Sequence, residues 1–464
     1  MNGALLTATG EPISPDDIQS IARGASIPDG TPFLIGEDGD VLSAAHVNAY
    51  LLEASRQRAY AGDSLQAVHA PTLLRLLQHV RNRQNAKVDL SATKREDLVD
   101  YKDIRRPRLA AGSWNNELAI LSSFFDYALK AGWVDQNPVP RWGSRQRSTL
   151  ADRTSTHRRE RHLTEQQLRF FLEVGLRGDL PSDRDTRPPY PERDYILGLL
   201  LATTGLRRQE AVLVLDCEIP TPTTMPASGV HTFTRYGKGS RPRDIWITDT
   251  FVDKAQLYRS SNREKIIARA QSSLRKRVRE HRALMTVVEQ DNREPPKLII
   301  DGHRVKPELL SNADRARAVT RRADGTIEPL AFIVAEGGKP PALRTVNQWF
   351  NDAVNRVSPL DHPAQPPSHI HVTPHVMRHT FAVRMLAALI RLGRETKSNP
   401  YHFLASPEFV VQQLLGHADI ETTAIYLRAA LRYSDELPDA LRMLVAESIG
   451  SPGGSAFAES DTYS

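Results

Sequence analysis

Residues 141–161, RWGSRQRSTLADRTSTHRRER, carry seven arginines (Arg141, Arg145, Arg147, Arg153, Arg158, Arg159 and Arg161) against two acids, Asp152 and Glu160. A stretch with so few apolar side chains has little to bury, so it reads as a basic tether between separately folding parts. A tether crossing a polyanion backbone has this composition, and so does a plain solvated one. The length agrees with a division, since 464 residues exceed what one core usually serves.

Composition excludes several classes. With 40% hydrophobic and 25% charged residues the chain reads as an ordinary soluble protein. The longest apolar run, YILGLLLA at 195–202, falls well short of the roughly 18 residues of a membrane span. MNGALLTATGEPISPDD lacks a basic segment followed by an apolar one, so no secretory signal is expected. One cysteine, Cys217, rules out an intramolecular disulfide framework and fits a reducing cytoplasm. A net charge of +6 is compatible with a polyanionic partner without requiring one.

Before the tether, residues 1–40 read as an extension with one strand candidate, TPFLIG. From 41 to 140 the periodicity is helical. VNAYLLEASRQRAY gives a first helix, and Pro71 is placed to start a second over PTLLRLLQHV. Thr93 and Glu96 have capping-box spacing for EDLVDYKDIR. WNNELAILSSFFDYALKAG then stops at Gly132, ahead of Asn137-Pro138. Four short helices with Arg and Lys on their polar faces predict a compact bundle.

A second, larger domain is expected over 162–450, mixed α/β, so that the whole chain is mostly α with a small antiparallel sheet. HLTEQQLRFFLE restarts helical order, and RDYILGLLLATTGLRRQEAVLVL gives a buried helix, a Thr-Gly break and a second helix. VHTFTRYGKGSRPRDIWIT reads as a hairpin turning near Gly237-Lys238-Gly239. Residues 252–328 read as a basic insertion, helical at its start, either a nucleic-acid contact or a protein-contact arm. PLAFIVAEGGKP is a strand and turn, LRTVNQWFNDAVNRV an amphipathic helix, and DELPDALRMLVAES a last helix before a disordered tail at 451–464.

The residues with chemistry are scattered. Arg207 and Glu210 are three apart and share a helix face, either as a surface pair or with Arg207 partly buried. Lys238 occupies the hairpin tip, where most lysines are merely solvated. His375 shares a face with Arg378 and His379, and His417 and Tyr426 follow. The histidines could be polar residues at a helix start, a metal pair with His369 and His371 nearby, or donors to a phosphate. A zinc-protease helix would want Glu where Val376 stands, and the chain has neither a G-x-S-x-G elbow nor P-loop spacing.

Taken in order, Arg207, Lys238, His375, Arg378, His417 and Tyr426 resemble the constellation of the tyrosine recombinase (phage integrase) family. The resemblance covers about 41–435 and is sharpest in TTGLRRQE, YGKGSR, TPHVMRHTFA and LLGHADIETTAIY. It implies that 41–140 is a core-binding domain and 162–450 a catalytic domain, the two clamping a duplex. It implies a site-specific DNA strand transferase with Tyr426 as nucleophile and a 3′-phosphotyrosyl intermediate. Arg207 and Arg378 would meet the phosphate charge and Lys238 would be the acid. His375 would be base or relay and His417 a donor, with Glu210 and His379 holding them in register. It further implies double-stranded DNA with recombination sites as partner, a homotetramer on DNA, accessory DNA-bending or element-encoded proteins, a nucleoid-associated cytoplasmic location, and no cofactor or metal. A topoisomerase-like relaxation of one duplex, or a non-catalytic accessory role, are the alternatives. Relative to compact relatives, 252–330 and the segment between Arg378 and His417 are extended, and Arg208-Gln209 replaces small residues.

Overall fold

The computed structural model describes residues 31–34, 44–57, 64–84, 88–142, 147–152, 162–179, 187–236, 242–291, 294–360, 362–366, 371–395, 406–416 and Tyr426. The chain divides into two compact units, Met1–Arg158 and Arg159–Ser464.

Among its described residues the first unit is built on four α-helices, α1 (Ala45–Arg56), α2 (Ala70–Gln84), α3 (Arg95–Arg105) and α4 (Ala111–Lys130). Their apolar stripes meet in one core that includes Leu51, Leu73, Leu76, Trp114, Phe124 and Phe125. Three local expectations are corrected. Pro71 does not open its helix: a π-helical turn over Leu65–His69 precedes α2, and this wider winding accommodates a residue that cannot donate to the preceding turn. The cap of α3 lies one residue later than the Thr93 box, because Asp97 Oδ2 accepts from the Lys94 backbone N at 2.8 Å. Residues 31–34, from the strand candidate, have no regular structure; Asn48 holds them by hydrogen bonds at 2.7 and 2.8 Å to both backbone groups of Leu34.

At the end of α4, Trp133 N donates to Ala128 O at 2.9 Å, and Asn137 Nδ2 reaches back to Asp126 Oδ1 at 2.8 Å. The described residues of the arginine-rich stretch, 141–142 and 147–152, are folded. β1 (Arg141–Trp142) pairs with β2 (Arg147–Ser148), and the Trp114 indole donates to Leu150 O at 2.8 Å. Asp152 supplies the acid for Arg106 and for Lys102 (3.2 Å).

The second unit is organised around α6 (Pro191–Thr204), which buries residues around its whole circumference. Around it pack α8 (Asp249–Tyr258), α12 (Pro374–Glu395), and the turn Phe171–Leu176 that extends α5 (Glu165–Phe170). The Thr164 hydroxyl caps α5 by accepting from Gln167 N at 3.3 Å. After α6 come the short α7 (Arg208–Val212) and a hairpin, β3 (Val230–Tyr236) against β4 (Pro242–Thr248). On β4 the inward residues are Arg243, Ile245 and Ile247, the period of two that a half-buried strand requires.

Among the described residues strand content is small, as expected, but is spread over four sheets. β6 (Val287–Asp291), β7 (Glu294–Ile300) and β8 (His303–Val305) form one. In another, β9 (Ala318–Arg321) pairs antiparallel with β10 (Ile327–Pro329) and parallel with β5 (Leu284–Met285). The basic insertion is helical at its start, through α8 and α9 (Glu264–Arg279), before it becomes strand. Its arginines are not all solvated. Arg315, on α10 (Asn312–Arg317), is fully buried, its guanidinium paired with both Glu218 oxygens at 2.7 and 2.8 Å. Two carbonyls, Leu213 O and Pro307 O, take further donors, which makes so deep a charge tolerable.

The apolar run after Pro329 is not a regular strand. Phe332 N donates to Val214 O and Val334 N to the Tyr258 hydroxyl, so its backbone is satisfied by irregular partners on both sides. The amphipathic helix appears as α11 (Leu343–Val357), and α12 and α13 (Pro407–Leu415) end the described part, apart from Tyr426. Among the described residues no helix is long and apolar enough to cross a membrane.

Candidate active site

Glu210 draws the site together. The Arg207 backbone N donates to its Oε2 at 2.7 Å, so the carboxylate closes the open N-terminal end of α7. The same carboxylate accepts from Arg207 Nη1 at 3.0 Å and from Arg243 through Nη1–Oε1 (3.3 Å) and Nη2–Oε2 (2.5 Å). Burial alone would raise the Glu210 carboxyl, but the charge and hydrogen bonds of Arg243, followed by those of Arg207, hold it down at about 2. Glu210 is therefore ionised at any ordinary pH, and the half-buried Arg207 guanidinium is fixed from behind with part of its surface open.

Arg378 enters from the first turns of α12. Pro374 starts that helix, and the Thr373 hydroxyl accepts from Val376 N at 3.3 Å. The Arg378 guanidinium is buried and donates to two carbonyls, Gly205 O and Leu415 O (2.7 Å to the latter). These carbonyls stand at the ends of α6 and α13, so one side chain ties three helices together. Both helices stop in left-handed glycines, Gly205 at φ 64° and Gly416 at φ 63°, which is why TTGLR and LLGH carry glycine there. Burial pushes Arg378 down to about 9, and repulsion from Arg207 and Arg243 adds to it; Glu210 and Tyr426 pull the other way.

Two guanidiniums thus hold one carboxylate and a third, that of Arg378, lies near enough to feel all of them, an excess of positive charge suited to an anion. Tyr426 is buried and close enough for its phenol to act on Arg378. Its ring lies 5.3 Å from that of His379, and His379 Nε2 is 2.9 Å from His375 Nε2. His375 itself is exposed. The pair can pass a proton between imidazoles, one ring donating and the other accepting.

Of the residues singled out in the sequence, Arg207, Glu210, Arg378, His379, His375 and Tyr426 are brought together. Lys238 and His417 lie outside the described residues, as does His369. Their neighbours are fixed: Tyr236 pairs with Pro242 at the last rung of the hairpin, and Gly416 immediately precedes His417. His371 accompanies α11 instead, its Nε2 3.1 Å from Asn351 Oδ1. Arg208 also faces α11, bonding Asn347. Arg243 is the residue that the motifs missed. The signal was its place in the β4 alternation, where a charged side chain falls on an inward position.

No protein-family model matches the chain. It is similar to a tyrosine recombinase of Thermosipho africanus (strain TCF52B), 30% identical over 137 residues. That match spans 29% of this chain and 40% of the relative, well under two thirds of its length. Among solved structures, the Tn1549 transposon integrase in complex with transposon right end DNA is 17% identical, with 82% of this chain and 94% of that one covered at a TM-score of 0.46. The XerH site-specific recombinase bound to difH substrate is 14% identical (90% and 81% covered, TM-score 0.38). A lambda integrase dimer bound to a COC′ core site is 15% identical (82% and 76%, TM-score 0.41).

Proposed function

We propose that this chain, a member of the tyrosine recombinase family, cuts and rejoins duplex DNA through a covalent bond to Tyr426. One observation carries the reading: Arg207 and Arg243 share the Glu210 carboxylate and Arg378 lies near them beside a buried tyrosine, so that among these described groups three arginines stand against one carboxylate, an excess that calls for a further anion. A phosphodiester supplies that anion, and its two nonbridging oxygens match the paired donors of guanidinium.

A free phenol, with its proton lost only near pH 10, is a poor nucleophile at neutrality. The Tyr426 oxygen attacks phosphorus and its proton leaves through His379 and His375, the imidazoles beside it. The P–O5′ bond breaks, the 5′ oxygen takes a proton from Lys238, and the phosphate stays as a 3′-phosphotyrosyl. Negative charge that builds on the nonbridging oxygens is met by Arg207, Arg378 and His417. Each such donor is worth on the order of 10²–10³ in rate. Attack by a 5′-hydroxyl from a partner strand reverses the step, so the bond's energy is kept and neither metal nor ATP is called on. The first unit's helical bundle adds duplex contacts, and four protomers assemble on two paired sites.

The test is a pool of nicked duplexes with a randomised core, on which cleavage strands the protein on its DNA. Adducts resistant to denaturation should form in EDTA, and the recovered sequences define the site. Joining of strands between two such duplexes supports exchange. Relaxation of a supercoiled plasmid carrying the site, without joining, would support the topoisomerase-like alternative instead. No adduct under any condition would overturn the enzymatic reading.

A further inference from the structure

The structure assigns Arg243 as a positioning residue that registers the two halves of this site against each other, a role resting on the phosphodiester reading above. Its guanidinium grips both oxygens of Glu210, whose remaining bonds hold Arg207 by side chain and backbone. On its other side it lies against the end of α13: a Cβ placed on Gly416 would stand 3.2 Å from both Cδ and Nη1 of Arg243. Its backbone belongs to β4, five residues beyond Lys238 and one rung inside the hairpin's last pair. One buried side chain therefore touches the segment that carries Arg207 and the segment that leads to His417 and Tyr426, and it is anchored in the strand that follows Lys238 in the chain.

Arg243 contacts no open surface, being 6% exposed, so it acts through the groups it holds. Its ladder partner sharpens the point. Arg235 stands directly opposite on β3 and is also buried, an arrangement of like charges that costs stability unless something offsets it. Neighbouring Ile245 and Ile247 show that an apolar residue would pack at this face. A second arginine placed there is accounted for by what it holds. Lysine would keep the charge but could not span the two carboxylate oxygens, so the geometry itself is the requirement.

The test uses the full chain and a duplex recovered from the randomised pool, with Arg243→Lys, Arg243→Met, Glu210→Gln and the double variant Arg243→Met/Glu210→Gln. Single-turnover adduct formation, duplex affinity and thermal midpoint are read for each. Expected is a cleavage rate about 10²-fold down in Arg243→Met, at unchanged affinity, with Arg243→Lys between it and wild type. Glu210→Gln should lose a similar factor and the double variant no more than either, because the two act as one unit. Additive losses, or a wild-type rate in Arg243→Lys and Arg243→Met alike, would overturn the role. If Arg243→Met does not fold, Arg243→Lys decides alone: a wild-type rate refutes the role and a reduced rate at unchanged affinity supports it. Failure of the phosphodiester reading is seen separately, as absence of any wild-type adduct.

Discussion

Gly205→Ala is the most exacting probe of how the site is held. The residue takes φ 64°, where an L side chain costs roughly 1–2 kcal/mol. Its new Cβ would also stand 2.4 and 2.7 Å from Cδ1 and Cε1 of Phe381 and 3.0 Å from Leu415 Cδ2. Phe381 and Leu415 are both buried, so neither can swing away, and such overpacking costs about 1–3 kcal/mol more. The sum is roughly 2–5 kcal/mol, or a fall in Tm of about 3–8 °C for a domain of this size. Differential scanning calorimetry of the full chain should show the loss in the second unit's transition alone. Adding Phe381→Leu should return part of it, since the two shortest contacts disappear while the Leu415 contact and the backbone share remain. A Gly205→Ala protein that melts with the wild type would refute the argument, and with it the placement of the carbonyl that Arg378 grips.

Acid should unfold the second unit through its paired glutamates. Glu210 and Glu328 both sit at about 2, where burial would raise them but their arginines prevail: Arg243 and Arg207 for the first, Arg322 and Arg263 for the second. Folded values below the unfolded ones mean that this stability is complete above about pH 5 and is lost as pH falls towards 2. Glu210→Gln/Glu328→Gln should therefore flatten the dependence of Tm on pH in that window, and an unchanged slope would count against these pairs. In the first unit, Glu117 is buried and accepts from Arg75 at 2.9 Å and from Arg105 at 2.8 and 3.1 Å. Glu117→Gln should cost about 1–3 kcal/mol in urea unfolding, because two arginines lose their common acid.

Much of this was readable because it is local. Helix periodicity gave the four helices of the first unit, and α11 follows LRTVNQWFNDAVNRV residue for residue. The ordered motifs gave Arg207, Arg378 and Tyr426, which the fold gathers although more than two hundred residues separate them. What was not readable depends on partners distant in the chain. The PLAFIV run looked like a strand, yet its hydrogen bonds go to Val214 and to the Tyr258 hydroxyl. Arg315 looked like part of a basic contact arm, yet Glu218, nearly a hundred residues earlier, takes it into the core. Arg243 was hidden for the same reason, since only the folded chain brings Glu210 and Gly416 to it. The cap of α3 moved from Thr93 to Lys94 because Asp97 competes with Glu96 for the closing role, a difference of one residue that spacing alone leaves open.

The central claim is that Tyr426 becomes covalently bound to DNA phosphate, and peptide mapping of the adduct tests it most directly. Nuclease digestion leaves a short nucleotide on the protein, and trypsin then releases the peptide Ser398–Arg428, which contains Tyr401 as well as Tyr426. Fragmentation by mass spectrometry should place the nucleotide mass on Tyr426, and the adduct should be absent from Tyr426→Phe. The mass on Tyr401 or on any other residue, or an adduct that persists in Tyr426→Phe, would contradict the account.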